Sequence, residues 1–300
     1  MSYNTETINV QFLNQSFINK VEQGLVKEAE VASSTFVRQK LREDGFARKI
    51  FNPVMVSGSE LDRQLTEEPT IIVEKEPDSV AASIPFVGRT TPRYFSSQRY
   101  AVTCSTISSE EFKKSKFELM TARTDIPTIL QENSVKDLQA QEDQTLYGGL
   151  LNIAGAAGNI LNISGTTSTN YVQQFTTGIQ SLLAKKLPIG NILMTQSMYY
   201  NLMKQPATQI GSGLAGDLVR GAGGLDGLFG NRFITTIKND IIPDNQFIVF
   251  TTPQYLGQMY LLQDATVFIK TEGDMLSFRT YEAVGIGIGN TNGFMVCNLL

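Results

Sequence analysis

Apolar and polar positions follow a helical period early in this chain, a strand period next, and a mixture thereafter. The stretch from Val10, "VQFLNQSFINKVEQGLVKEAEVASSTFVRQKLREDGF", spaces its apolar residues for helix, with Ser33 or Ser34 placed to cap a segment holding Phe36, Val37 and Leu41. The spacing predicts an arm of one or two amphipathic helices. It lies far ahead of the first strand-like segment, so its apolar face is expected to dock outside its own core.

The pattern then changes to β-branched and aromatic residues in "TIIVEKEPDSVAASIPFVGRTTPRYFSSQRYAVTCSTISSEEFKKSKFELM", broken by turn formers at Pro77-Asp78 and from Gly88 to Pro92. Strands are expected near 70–76, 82–87 and 98–107, as a long hairpin-like excursion with a polar tip from Arg89 to Gln98. It has few large apolar residues of its own to bury, which favours a protruding arm that pairs with a neighbour.

"RTDIPTILQENSVKDLQAQEDQTLYGGLLNIAGAAG" returns to helical spacing through Leu138, Leu146, Leu150 and Ile153. Pro127 suits a first helical turn, Ser134 to Asp137 resembles a capping box, and Glu132 with Lys136 makes an i,i+4 pair if the segments are continuous. A helix over 135–156 would run roughly 33 Å. Residues 155–170 are small and read as a linker. Beyond it come a helix at 170–185, a strand at 191–195, a helix at 196–205, and strands in "RFITTI", "QFIVFTT" and "MYLLQ". Two or three long antiparallel strands close the chain, with tight turns at Glu272-Gly273-Asp274 and from Asn290 to Gly293. Few helices among strands of mixed type indicate an α+β fold.

Composition narrows the chemistry. With 41% hydrophobic and 18% charged residues, the 300-residue chain can bury a substantial core and reads as a soluble folded protein. A net charge of -4 without a basic run argues against a specific nucleic-acid reader, and no apolar run reaches about 18 residues. The start "MSYNTETINVQFLNQ" lacks the features of a secretory signal, so a cytosolic origin is expected. Cys104 and Cys297 each sit in an apolar alternating stretch, as reduced core thiols would. Histidine is absent, which removes histidine-based triads and zinc sites and leaves carboxylates or lysine for any catalysis.

Three features invite a chemical reading. In "GIGIGN", Asn290 and Asn292 stand where a dinucleotide fingerprint requires its third glycine, and too few residues follow for the helix that would hold a pyrophosphate. In "GSGLAGDLVRGAGGLDGLFG", Gly216 and Gly221 have Walker A spacing, but Ala222 and Gly223 replace the lysine and hydroxyl residue. That stretch reads as a long loop serving subunit contacts. The carboxylate pairs Glu67-Glu68, Glu110-Glu111 and Glu142-Asp143 lie in polar stretches, and neighbouring side chains do not converge, so they are expected to be solvated. No metal or cofactor site is expected.

The order of segments resembles the HK97-like major capsid proteins of tailed bacteriophages, a fold shared with encapsulin shells, over nearly the whole chain. "FVRQKLREDGFARKIF" matches an N-terminal arm, residues 66–107 an E-loop excursion, and "DIPTILQENSVKDLQAQEDQTLYGGL" a spine helix. "NILMTQSMYYNLMKQ" resembles an A-domain strand leading to a helix. "GLFGNRFITTIKNDIIPDNQFIVFTTPQYLGQMYLLQDATVFI" followed by "FRTYEAVGIGIGNTNGF" resembles the family's closing run of strands and turns.

The resemblance implies an arm at 1–50, an E-loop at 66–107, a P-domain at 51–65, 108–160 and 264–290, and a mixed α/β A-domain at 161–263 and 291–300. It implies a structural shell subunit forming pentamers and hexamers around double-stranded DNA, in a virion assembled in the host cytoplasm. Scaffold, portal and decoration proteins are the implied partners, and no membrane is. The "MSYNTET" start favours a separate scaffold protein. Contacts between subunits fall to Arg89, Arg93, Tyr94 and Phe95 at the excursion tip and to Gly211, Gly213, Gly221, Gly223 and Gly224 in a loop facing the capsomer axis. Lys75, the one lysine of the excursion proper, lies at its base, and no cross-link is predicted from it. The competing readings are an encapsulin-like compartment shell, a tail or tube protein, and an enzyme binding a phosphate ligand on its glycine-rich loops.

Overall fold

The computed structural model describes residues 18–19, 22–23, 45–61, 69–74, 83–84, 86, 88–89, 92, 94, 99–121, 126–164, 171–204, 227–228 and 231–299. In chain order its elements are α1 (Ala47–Ile50), β1 (Pro53–Met55), β2 (Thr70–Glu74), β3 (Arg99–Thr103), β4 (Ser105–Ser108), β5 (Phe112–Ser115), α2 (Lys116–Thr121) and α3 (Ile126–Ala157). Then follow β6 (Ile160–Ile163), α4 (Tyr171–Leu183), β7 (Ile189–Thr195), α5 (Gln196–Met203), β8 (Gly227–Leu228), β9 (Asn231–Thr236), β10 (Gln246–Thr251) and α6 (Pro253–Leu256). Last come β11 (Gly257–Glu272), β12 (Met275–Ile288) and β13 (Phe294–Leu299). One sheet runs β1-β11-β12-β4 with β5 also on β12, a second runs β6-β13-β10-β7-β9-β8, and β2 pairs with β3 alone. The α+β expectation holds.

The β11–β12 hairpin forms as its alternation predicts, closing at Glu272 opposite Met275. Gly273 takes φ +64° in the turn, a region that favours glycine. Register shifts between Leu261 and Thr266 mark bulges in β11.

Helix α3 begins nine residues before the expected start, at Ile126, and its 32 residues extend roughly 48 Å. No glycine or proline interrupts Thr128 to Tyr147, so the helix passes through Ser134, which is buried within it and does not mark its start. Pro127 occupies the first turn, as anticipated. The helix ends where Gly158 adopts φ +68° and the Asn159 amide donates to the Ala154 carbonyl at 2.9 Å, a Schellman closure. The expected linker therefore already contains structure: β6 begins at Ile160 and pairs in parallel with β13.

Strands β10 and β13 are buried on both faces. Phe247 and Val249 pack with Phe175, Ile179 and Leu182 of α4, while Ile248 and Phe250 join a core containing Leu138, Leu146 and Leu150 of α3. The second sheet is thus covered on both sides, which explains its continuous apolar runs. Thr195 caps α5 by accepting from the Met198 amide at 3.3 Å. Cys104 and Cys297 are free and buried, as read from the sequence.

Three expectations change. Ile18 of the arm is buried in the subunit's own core, and Lys116 pairs with Glu22 at 3.2 Å, so this part of the arm docks at home. The strand expected at 82–87 is not formed at Ser83, Ile84 or Phe86; Phe86 is wholly exposed and Ile84 largely so, leaving the alternation no sheet to pack against. The strand expected at 98–107 is two strands broken at Cys104, whose amide donates to the Pro69 carbonyl at 2.9 Å. Before the break β3 pairs with β2, and after it β4 pairs with β12.

Candidate functional site

The end of β12, "VGIGIG", has two unlike faces. Val284, Ile286 and Ile288 turn toward α3 and, with Ile107, Leu146 and Ile153, line a cleft of about 220 Å³. The opposite face is bare, and β3 lies across it. A Cβ placed on Gly285 would stand 2.9 Å from Cys104 Sγ and 3.1 Å from the Thr103 carbonyl oxygen; on Gly287 it would meet Val102 Cγ2 at 2.6 Å, and on Gly289, Tyr100 Oη at 2.6 Å. These glycines leave room for the side chains that β3 and Cys104 lay against the strand.

That contact seats the base of the excursion. Antiparallel pairing runs from Thr70–Thr103 to Glu74–Arg99, and an exposed Arg99–Glu74 ion pair at 2.8 Å lies at the last pair. Val56, Ile71 and Cys104 make a small cluster beneath it with Leu61, Val73 and Tyr260. Burial pushes the Tyr100 hydroxyl up, and burial together with the nearby Tyr100 does the same to Tyr260. Toward the tip, Arg89 and Tyr94 are exposed, Tyr94 at 93%. Arg93, Phe95 and the loop residues Gly211, Gly213, Gly221, Gly223 and Gly224 lie outside the described residues, as do Lys75 and the Glu67-Glu68 pair.

The Glu142-Asp143 pair is not solvated; both side chains are fully buried. Adjacent helical residues project in different directions, and each finds its own cation. Arg48 Nε donates to Glu142 Oε1 at 3.0 Å and Oε2 at 3.1 Å, and Nη2 to Oε1 at 2.8 Å. The same guanidinium reaches Glu282 Oε2 at 2.8 Å and Asp264 Oδ1 at 3.3 Å. Asp143 accepts from the Ala47 amide at 2.9 Å and from Lys238 Nζ at 2.6 Å. Burial raises the Asp143 pKa against the pull of Lys238 and the Ala47 amide. Burial alone would lower the pKa of Arg48, but its hydrogen bonds to Glu142 and the surrounding carboxylate charges raise it. Glu110 and Glu111, by contrast, are exposed as expected.

The "GIGIG" glycines belong to a strand, so they form no phosphate cradle. Among the described residues no group of carboxylates or cysteines is placed to hold a metal ion, and no helix is long and apolar enough to cross a membrane. The three converging carboxylates enclose a guanidinium.

No protein-family model and no curated protein matches the chain. Solved structures do. A chain from Microbacterium phage Oxtober96 superposes with a TM-score of 0.60 at 14% identity, covering 86% of this chain and 92% of that one. The capsid structure of cyanophage P-SCSP1u gives 0.59 at 12% identity, over 84% and 86%. A virus-like particle from Pyrococcus furiosus gives 0.55 at 15% identity, over 89% and 96%. At such identities the likeness establishes the fold: the chain has the HK97-like capsid fold.

Proposed function

We propose that this protein is the structural subunit of an icosahedral bacteriophage head, with pentamers and hexamers enclosing double-stranded DNA. The observation that carries the reading is a match over 84% of this chain to the capsid of cyanophage P-SCSP1u and to the capsid of a native GTA particle. A match of this extent favours a role in assembly without chemistry. In this reading residues 1–50 are the arm and 66–107 the E-loop. The P-domain takes 51–65, 108–160 and 264–290, and the A-domain takes 161–263 and 291–300.

The excursion tip, through Arg89, Arg93, Tyr94 and Phe95, contacts an adjacent copy. The loop containing Gly211, Gly213, Gly221, Gly223 and Gly224 lines the capsomer axis. Exposure of Tyr94 and Phe86 supports the first assignment, since apolar rings held in water have area to bury against a partner. Binding of this kind spreads over a large surface and gains strength from repetition in a closed lattice. A scaffold protein, a portal and a decoration protein are the further partners, DNA is enclosed without sequence readout, and assembly takes place in the host cytoplasm.

The Pyrococcus furiosus virus-like particle favours a second reading, a compartment shell around protein cargo. Electron micrographs of purified protein decide whether closed shells form, and the ultraviolet absorbance ratio of their contents separates nucleic acid from protein cargo. Rings or tubes would overturn the shell. Deleting residues 78–97 is expected to leave a folded subunit that forms no closed particles; an unfolded product would show that the excursion serves its own core.

A further inference from the structure

Arg48 lies at the end of the arm, Glu142 midway along α3, Asp264 at the β11 bulge and Glu282 on β12, so four distant segments meet at one guanidinium. If all three carboxylates were ionised, one cation would face three anions in a space closed to water; their side chains are at most 2% exposed. The neighbouring Asp143 brings no relief, being matched by Lys238 and the Ala47 amide. On β4, the residue opposite Glu282 is the uncharged Ile107.

The three acids are served unequally. Glu142 receives donors on both oxygens, and Asp264 has Arg48 together with the Ala265 amide at 2.9 Å. Glu282 meets Arg48 through Oε2, but its buried Oε1 accepts no hydrogen bond. An acceptor stranded in this way is costly. A proton on Glu282 removes one of the three negative charges around Arg48, and the charge of the neighbouring Glu142 favours it.

We propose that Glu282 is held as the neutral acid, sharing its proton with Glu142, and that the Arg48 centre is a proton-operated clasp joining the arm's exit to α3 and the β11–β12 hairpin. Burial first, then the charge of Glu142, pushes the Glu282 carboxyl up to about 9 against the pull of Arg48, with Asp264 adding to the rise. The direction of the pH effect follows. Between the ordinary glutamate value of 4.5 and about 9, the unfolded chain has released this proton and the folded chain keeps it. The folded state binds more protons, so the clasp weakens steadily as pH rises through that window and levels off above it. It is tightest in mild acid, whatever the subunit assembles into.

The test compares the full chain with Glu282→Gln by denaturant unfolding at intervals from pH 6 to 9. Glutamine keeps the shape and the donor of the neutral acid but cannot ionise. The ratio of folding constants, variant over wild type, is expected to rise about tenfold per pH unit, the signature of a single proton. Parallel curves would overturn the proposal. Infrared spectroscopy of the wild type keeps it testable if the variant does not fold. A protonated-carboxyl C=O band, retained in Asp143→Asn, should be present at pH 7 and vanish above about pH 9. Its absence at pH 7 counts against the clasp.

Discussion

In the six-stranded sheet every residue of β10 is buried, and Phe175 stacks on Phe247 at a ring-centroid distance of 4.3 Å. Where α1 and α3 meet the five-stranded sheet, a comparable depth is occupied by Arg48, Glu142, Asp264 and Glu282. The two interiors are stabilised by different physics. An apolar interior answers to volume and is indifferent to pH, whereas a charged one answers to pairing and to protons. The charged interior is also where the chain's distant segments are tied together, so each partner is held by contacts that no apolar replacement would aim in the same way.

Removing the cation is the largest expected break in this comparison. Arg48→Met removes the cation that Glu142, Asp264 and Glu282 share and should cost about 3–5 kcal/mol near neutral pH, with part recovered in acid, where buried negative charge is relieved. Denaturant unfolding at two pH values reads both effects. Met194→Ala, in the apolar interior, should cost about 2–5 kcal/mol and show the same cost at both pH values. A pH-dependent loss there would erase the distinction. Gly287→Ala is the smallest of the three, about 1–3 kcal/mol, because the new methyl meets the stiff Val102 side chain and must shift β3. Its particular signature is faster amide exchange in β2 and β3 with the two sheets unchanged.

The parts that the sequence makes legible are those set by local periodicity. The β11–β12 hairpin announces itself by alternation and a glycine turn, and α4 and α5 are read as helices close to their observed bounds. The glycine face of β12 is also visible in advance, since Gly285, Gly287 and Gly289 alternate with apolar residues; what is missing is its occupant, because β3 lies nearly two hundred positions earlier. The Arg48 centre escapes for the same reason. Its acids stand 94, 216 and 234 positions from it, and nothing beside Glu142 in the sequence distinguishes it from a solvated helical carboxylate. Helix continuity through Ser134 is misread because a local capping pattern competes with a longer uninterrupted helical run.

The place of β13 has a consequence for the order of events during synthesis. It sits between β6 and β10, in parallel with the first and antiparallel to the second, and it leaves the ribosome after every other strand of that sheet. Until it emerges, β6 has no partner in the sheet and one edge of β10 stays open. The second sheet is therefore closed by a pairing between segments far apart in the sequence, a late and long-range step that has to wait for all the strands between them.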